Sequence, residues 1–137
     1  MTAAVPGSVL ATFAHPDDAE LWASATLEAQ RARSLSSLGR HREAASGFEK
    51  AIRALPASYQ RDRGIHLARA AIARFHADGP EHAATTAASA LSIATATRSP
   101  RILTELARLG TLLQGCGGVP EVAHCQHALD SVLLHEM

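Results

Sequence analysis

Three groups of side chains in this sequence have types and spacings that could do chemistry. The first is His-Pro-Asp-Asp at residues 15–18, entered by the apolar run Val9–Ala14. An imidazole beside two carboxylates can hold a divalent metal and take a proton from its bound water. The second is Cys116 with His124, Cys125 and His127. On one helix, positions 124 and 127 lie a turn apart and could chelate a metal. The third is Arg31, Arg33, Arg40 and Arg42, offset by Glu28 and Glu43. The planar guanidinium fork suits a carboxylate or a phosphate. Each group also has a plainer reading. Proline is favoured at the first helical position, and acids there complement the positive helix end, so Pro16, Asp17, Asp18 and Glu20 read as a helix start. The Cys/His group has no second compact pair to complete a tetrahedral set, and the arginines can form a solvated face.

The elements that would position these groups are helices. Alanine, leucine and arginine dominate the 137 residues, aromatics are few, and β-branched runs are short. This composition predicts an all-α chain whose helices approach through small residues. The size suits one domain with its own core. Thirteen basic residues balance thirteen acidic ones, which gives no bulk attraction to nucleic acid or anionic membrane. No run approaches the roughly 18 apolar residues that cross a bilayer. The first fifteen residues carry no Arg or Lys, so no secretory signal is expected. Two cysteines do not make a disulfide framework and fit reduced thiols in a cytoplasmic protein. Helices are predicted at about 17–38, 41–55, 60–77, 80–96, 100–114 and 119–135. Asp62, Ser99 and Pro120 are the entry signals, and Gly39, Gly79 and Gly115 the exits. Residues 1–8 are expected to be disordered and 9–137 to form a single domain. Val9–Ala14 is either a short extra helix or the stump of a preceding one.

The sequence also repeats. Residues 38–56 read L-G-R-H-R-E-A-A-S-G-F-E-K-A-I-R-A-L-P, with Ala44, Phe48, Ala51, Ile52 and Leu55 on one helical face before Pro56 ends it. Residues 79–91 read G-P-E-H-A-A-T-T-A-A-S-A-L, so that Ala87 answers Phe48 and His82 answers His41. Pro120-Glu121 echoes Pro80-Glu81 in a weaker third unit. The first unit resembles the tetratricopeptide repeat (TPR) family, through Gly39, Glu43, Ala44, Phe48, Ala51 and Pro56, with Ala32 and Leu35 in the partner helix. That resemblance implies a right-handed solenoid of about six helices in three antiparallel pairs. The later units depart from it, with Ala87 in place of Phe and a period longer than the usual ~34.

A second resemblance covers residues 9–27. Ala-His-Pro-Asp-Asp-Ala-Glu-Leu at 14–21 is similar to the amino-terminal signature of the zinc-dependent N-acetylglucosaminyl deacetylase family of the PIG-L type. It implies zinc on His15 and Asp18, with Asp17 as the general base. That family has glycines after the motif, where this chain has Trp22, Ser24 and Ala25. Its third ligand sits in a parallel α/β sheet, which the helical remainder of this chain does not supply. The stretch is therefore read as a helix start, with a zinc N-deacetylase kept as the alternative function.

Residues 25–114 are loosely similar to the carboxy-terminal TPR region of actinobacterial helix-turn-helix transcription regulators. This implies an interaction or sensor module linked to transcriptional regulation. No short basic helix pair is found, so no direct DNA contact is expected. In stacked helix pairs the first helix of each pair lines the concave wall. Projecting the repeat places Thr26, Ala29, Arg33 and Ser36, then Ala68 and Ile72, then Thr104 and Arg108 on that wall. Arg33, Ser36, Ile72, Thr104 and Arg108 are the expected ligand contacts, for a peptide, a partner protein or a small signal molecule. No catalytic residue, cofactor or membrane partner is expected. Apolar end helices could pair two chains into a homodimer.

Overall fold

The computed structural model describes residues 16–136. The expected disorder at 1–8, the extra helix or stump at Val9–Ala14, and His15 lie outside the described residues. Within them the chain is all helical and has no strand. The helices are α1 Pro16–Ser37, α2 His41–Ala54, α3 Gln60–Asp78, α4 Pro80–Thr97, α5 Pro100–Leu113 and α6 Pro120–Glu136. A 3-10 turn, Gln114–Cys116, extends α5.

The breaks follow from local chemistry. Gly39 takes a left-handed φ of +80°. Its N–H donates to the Ser36 carbonyl at 3.0 Å, and that of Arg40 to the Leu35 carbonyl at 2.9 Å. This pair of bonds satisfies carbonyls at the helix end and turns the chain back. Gly79 closes α3 at φ +101°, its N–H shared between the carbonyls of Arg74 and Phe75. Pro80, Pro100 and Pro120 each open a helix, at a position where a missing N–H costs nothing. The Ser99 hydroxyl accepts the Ile102 N–H at 3.4 Å and caps α5. Two expected signals act differently. Asp62 lies in the first turn of α3, whose cap position is Tyr59, and Gly115 lies inside the 3-10 turn.

Packing is densest between chain neighbours α1–α2, α2–α3 and α3–α4; α3 also rests on α5, and α4 on α6. Two apolar clusters result, with α3 as their common wall. Ala70 and Ala73 of α3 close a cluster made of Ala25, Ala29, Ala32, Ala44, Ala45, Ala51 and Leu55 around Phe48. Ile65, Ala68 and Ala71 face a larger one, rich in Leu and Ile from α5 and completed by α4 and α6. Small residues set both spacings. A Cβ at Gly47 would meet the Ala32 Cβ at 3.0 Å, so α1 and α2 touch nearly backbone to backbone. A Cβ at Gly64 would overlap the δ-methyl of Ile102, so α5 closes against α3 at that point. The indole N–H of Trp22 donates to Asp62 Oδ2 at 3.3 Å and ties the start of α1 to the start of α3. Among the described residues no helix is long and apolar enough to cross a membrane.

Candidate functional site

The projected contacts fall on α1, α3 and α5. Arg33, Thr104 and Arg108 are exposed, and Ser36 and Ile72 are half-buried. Thr104 and Arg108 line a cleft of about 590 Å³ together with Leu103, Ala107 and Leu133 of α6. Ala29 and Ala68, projected onto the same wall, are core residues instead. On α3 the projected Ile72 is half-buried, as is Arg69 beside it, while His66 on the same side is buried.

Arg69 is what links the projected arginines. Its guanidinium lies 3.6 Å from Glu105 on α5, and Glu105 also holds Arg108 at 3.5 Å. Burial holds Arg69 below the usual arginine range; Glu105 offsets this, while the charges of Arg33 on α1 and Arg101 on α5 push further down. The charges of Arg33 on α1 and Arg101 and Glu105 on α5 thus all act on Arg69, and Glu105 is shared with Arg108. The sequence reading missed Arg69, Arg101 and Glu105. Their signal was the i, i+3 spacing of Arg69 with Ile72 and the i, i+4 spacing of Arg101 with Glu105, which place them on the projected stripes.

Arg74, five residues along α3, shows what a satisfied arginine looks like. It grips both carboxylate oxygens of Glu49 on α2, at 2.7–3.1 Å, and Asp78 at 2.9 Å. Its hydrogen bonds to Glu49 raise its pKa. The exposures are nearly equal, 16% for the Arg74 side chain and 18% for Arg69. The difference lies in partners. Arg69 has five donors and one loose contact, so most of its hydrogen-bonding capacity is unspent.

His66 lies beside Arg69 and is only 9% exposed, and its Nδ1 is buried without a partner. Burial pushes its pKa down; Asp62 pulls upward, while Arg69 and Arg101 add to the depression. Burial is the leading reason the ring favours its neutral form.

The other chemical groups are dispersed. Asp17 is exposed and Asp18 half-buried in the first turn of α1. Among the described residues no three His, Cys, Asp or Glu side chains are placed to hold a metal. Arg40 is paired with Glu43 at 2.6 Å, and Arg42 reaches Asp78 and the Ala77 carbonyl on α3. Arg40 thus serves the start of α2, and Arg42 ties α2 to the end of α3. His41, at the start of α2, is half-buried and stacks on His76 with ring centroids 4.5 Å apart. His82, its repeat counterpart, is exposed. His124 and His127 line an open groove of about 1120 Å³ between α4 and α6. Cys125 beneath them is buried, which pushes its thiol pKa up and leaves it a poor nucleophile.

Comparison of the chain with protein-family models, with curated proteins and with solved structures finds no match.

Proposed function

We propose that this chain is a non-catalytic recognition module, a TPR-like right-handed solenoid of the pairs α1/α2, α3/α4 and α5/α6. On this reading it is a cytoplasmic interaction or sensor domain associated with transcriptional regulation in an actinobacterium. Its recognition surface is the face shared by α1, α3 and α5. The ligand is a peptide, a partner protein or a small signal molecule that brings a carboxylate or phosphate to the arginines. The observation that carries the reading is the under-neutralised Arg69, held between Arg33 and Arg101 with one loose carboxylate contact. Ile72 and Thr104 supply the neighbouring apolar and hydroxyl contacts, and Ser36 extends the surface along α1. The mechanism is capture by a preformed surface, with the ligand bridging α3 and α5 and shifting how the helix pairs pack.

Selection of random peptides displayed on phage against the folded protein, followed by calorimetry, tests this. Selected peptides should lose about tenfold or more in affinity on Arg69→Gln and on the Arg33→Ala, Arg108→Ala pair, the loss of a charge-assisted contact. Substitution of the exposed Arg53 on α2 should leave them unchanged. Ligands that bind all these variants equally would place recognition elsewhere and end the proposal.

A homodimer is the second reading. Leu27 on α1 and Leu38 in the turn that follows it are 67% and 72% exposed, apolar surface at the amino-terminal end of the domain. Sedimentation across a dilution series showing only monomer would remove it.

A further inference from the structure

We infer that an anion bound at the α1/α3/α5 face carries a proton in with it, taken from solvent onto the ring of His66. The inference rests on the arginine face being the recognition surface and adds what regulates it.

The geometry begins at Gly64. Because that residue has no side chain, Ile102 seats directly against α3; Arg69 then meets Glu105 at 3.6 Å, and His66 and Arg101, each about a turn earlier on its own helix, interact electrostatically. Arg69, at i+3 from His66, acts on the ring from the other side along the same helix. The charges on the ring among the described residues are therefore Asp62 and Arg69 from α3 and Arg101 from α5. Glu105 reaches it only through Arg69, and Arg33 of α1 lies beyond Arg69. From α1 comes the uncharged Trp22, on Asp62 Oδ2. From α4 comes the apolar Ile93, beside Gly64.

Without an anion, burial first, and then Arg69 and Arg101, depress the ring's pKa against the pull of Asp62, and its buried Nδ1 has no partner. A buried unpaired nitrogen is costly, and protonation turns that nitrogen into a donor. What opposes protonation is burial and the positive surroundings. An oxyanion seated on Arg69 and Arg101 offsets their charge, adds to the pull of Asp62 and offers an acceptor, so the proton becomes favourable in the bound state. By linkage, the anion then binds more tightly as pH falls through the titration of His66.

The probe is sulfate, which does not itself titrate between pH 5 and 8, measured by calorimetry at pH 5.5, 6.5 and 7.5 in two buffers of different ionisation enthalpy. Wild-type protein should take up about half a proton or more per sulfate at pH 6.5 and bind at least about threefold more tightly at pH 5.5 than at 7.5. His66→Asn should bind sulfate without proton uptake and with a flattened pH profile, and His76→Asn should behave as wild type. The His66 ring resonances, followed by NMR in the unsubstituted protein, should titrate at higher pH with sulfate present, which keeps the test independent of how the variant folds. Sulfate binding that is lost in Arg69→Gln but brings no proton, or leaves the His66 titration in place, overturns the proton linkage and leaves the face intact. Sulfate that fails to bind, or binds Arg69→Gln as well as wild type, overturns the arginine face and the linkage with it.

Discussion

The two halves of α3 use the same kinds of residue for opposite ends. Its second half faces α2, and there Arg74 is locked onto Glu49 and Asp78, with Arg42 added to Asp78 from α2. Its first half faces α5, and there Arg69 has only a distant share of Glu105, beside a histidine with an unpaired buried nitrogen. Exposure does not separate the two arginines; neutralisation does. A half-buried guanidinium whose carboxylates are supplied by the fold behaves as a fastener. One whose carboxylates are too few, and whose neighbours repel it, is a standing demand for an anion. The apolar packing beneath differs as well. Alanines around one Phe draw α1 and α2 close, whereas Leu and Ile fill the other side and hold α5 beneath the arginine face.

The largest test of this contrast is Arg74→Ala. It takes both hydrogen bonds from Glu49 and leaves Asp78 with Arg42 alone, and the loss of charge-assisted hydrogen bonds at a partly exposed site should cost about 1–2 kcal/mol. Urea denaturation would measure it. A loss below about 0.5 kcal/mol would mean that the α2–α3 corner is held by packing alone, and the distinction between the two halves would blur.

Acid should separate the halves next. The hydrogen bond from Arg74, helped by Arg42, holds the Asp78 carboxyl below the usual aspartate range. Its contribution is therefore present above the unfolded pKa of about 3.9 and is lost as pH falls through the lower folded value. His66 is depressed too, by burial first. The unfolded chain, with a histidine pKa of about 6.5, takes up the proton first, so stability falls as pH drops below that value and levels off under the folded one. Unfolding followed from pH 8 to 3 should show an upper loss that disappears in His66→Asn and a lower loss that shrinks in Arg74→Ala. If the upper loss survives His66→Asn, another of the histidines is responsible, with the His41–His76 stack the first to examine, since burial and His41 also depress His76.

The helices were legible because their stop signals are local. Gly39, Pro56, Gly79, Ser99 and Pro120 act within a few residues, and each observed boundary lies within one residue of its expected place. The site was legible only in part. Arg33 and Arg108 were projected from repeat register, and register says nothing of which carboxylate reaches which guanidinium. The contact of Arg69 with Glu105 joins residues 36 positions apart and depends on Ile102 settling at Gly64, a tertiary fact with no local pattern. The same holds for His41. Its place at a helix start was readable, but its stack on His76 needed the far end of α3 to return to that corner.

The finest discrimination comes from Arg69→Gln. Removing a half-buried cation would ordinarily strand its partner, but Glu105 keeps Arg108 at 3.5 Å. Arg33 and Arg101 lose a like charge, and burial no longer opposes a charge at that point. Glutamine retains two donors and the length to stay beside Glu105. These terms offset one another, so stability should change by no more than about 0.5 kcal/mol in either direction, in contrast to the loss at Arg74. Parallel urea titrations of the two variants decide it. A loss above about 1.5 kcal/mol would make Arg69 a second fastener between α3 and α5. Its sparse contacts would then be a structural minimum, and the physical ground for an anion at that face would be gone.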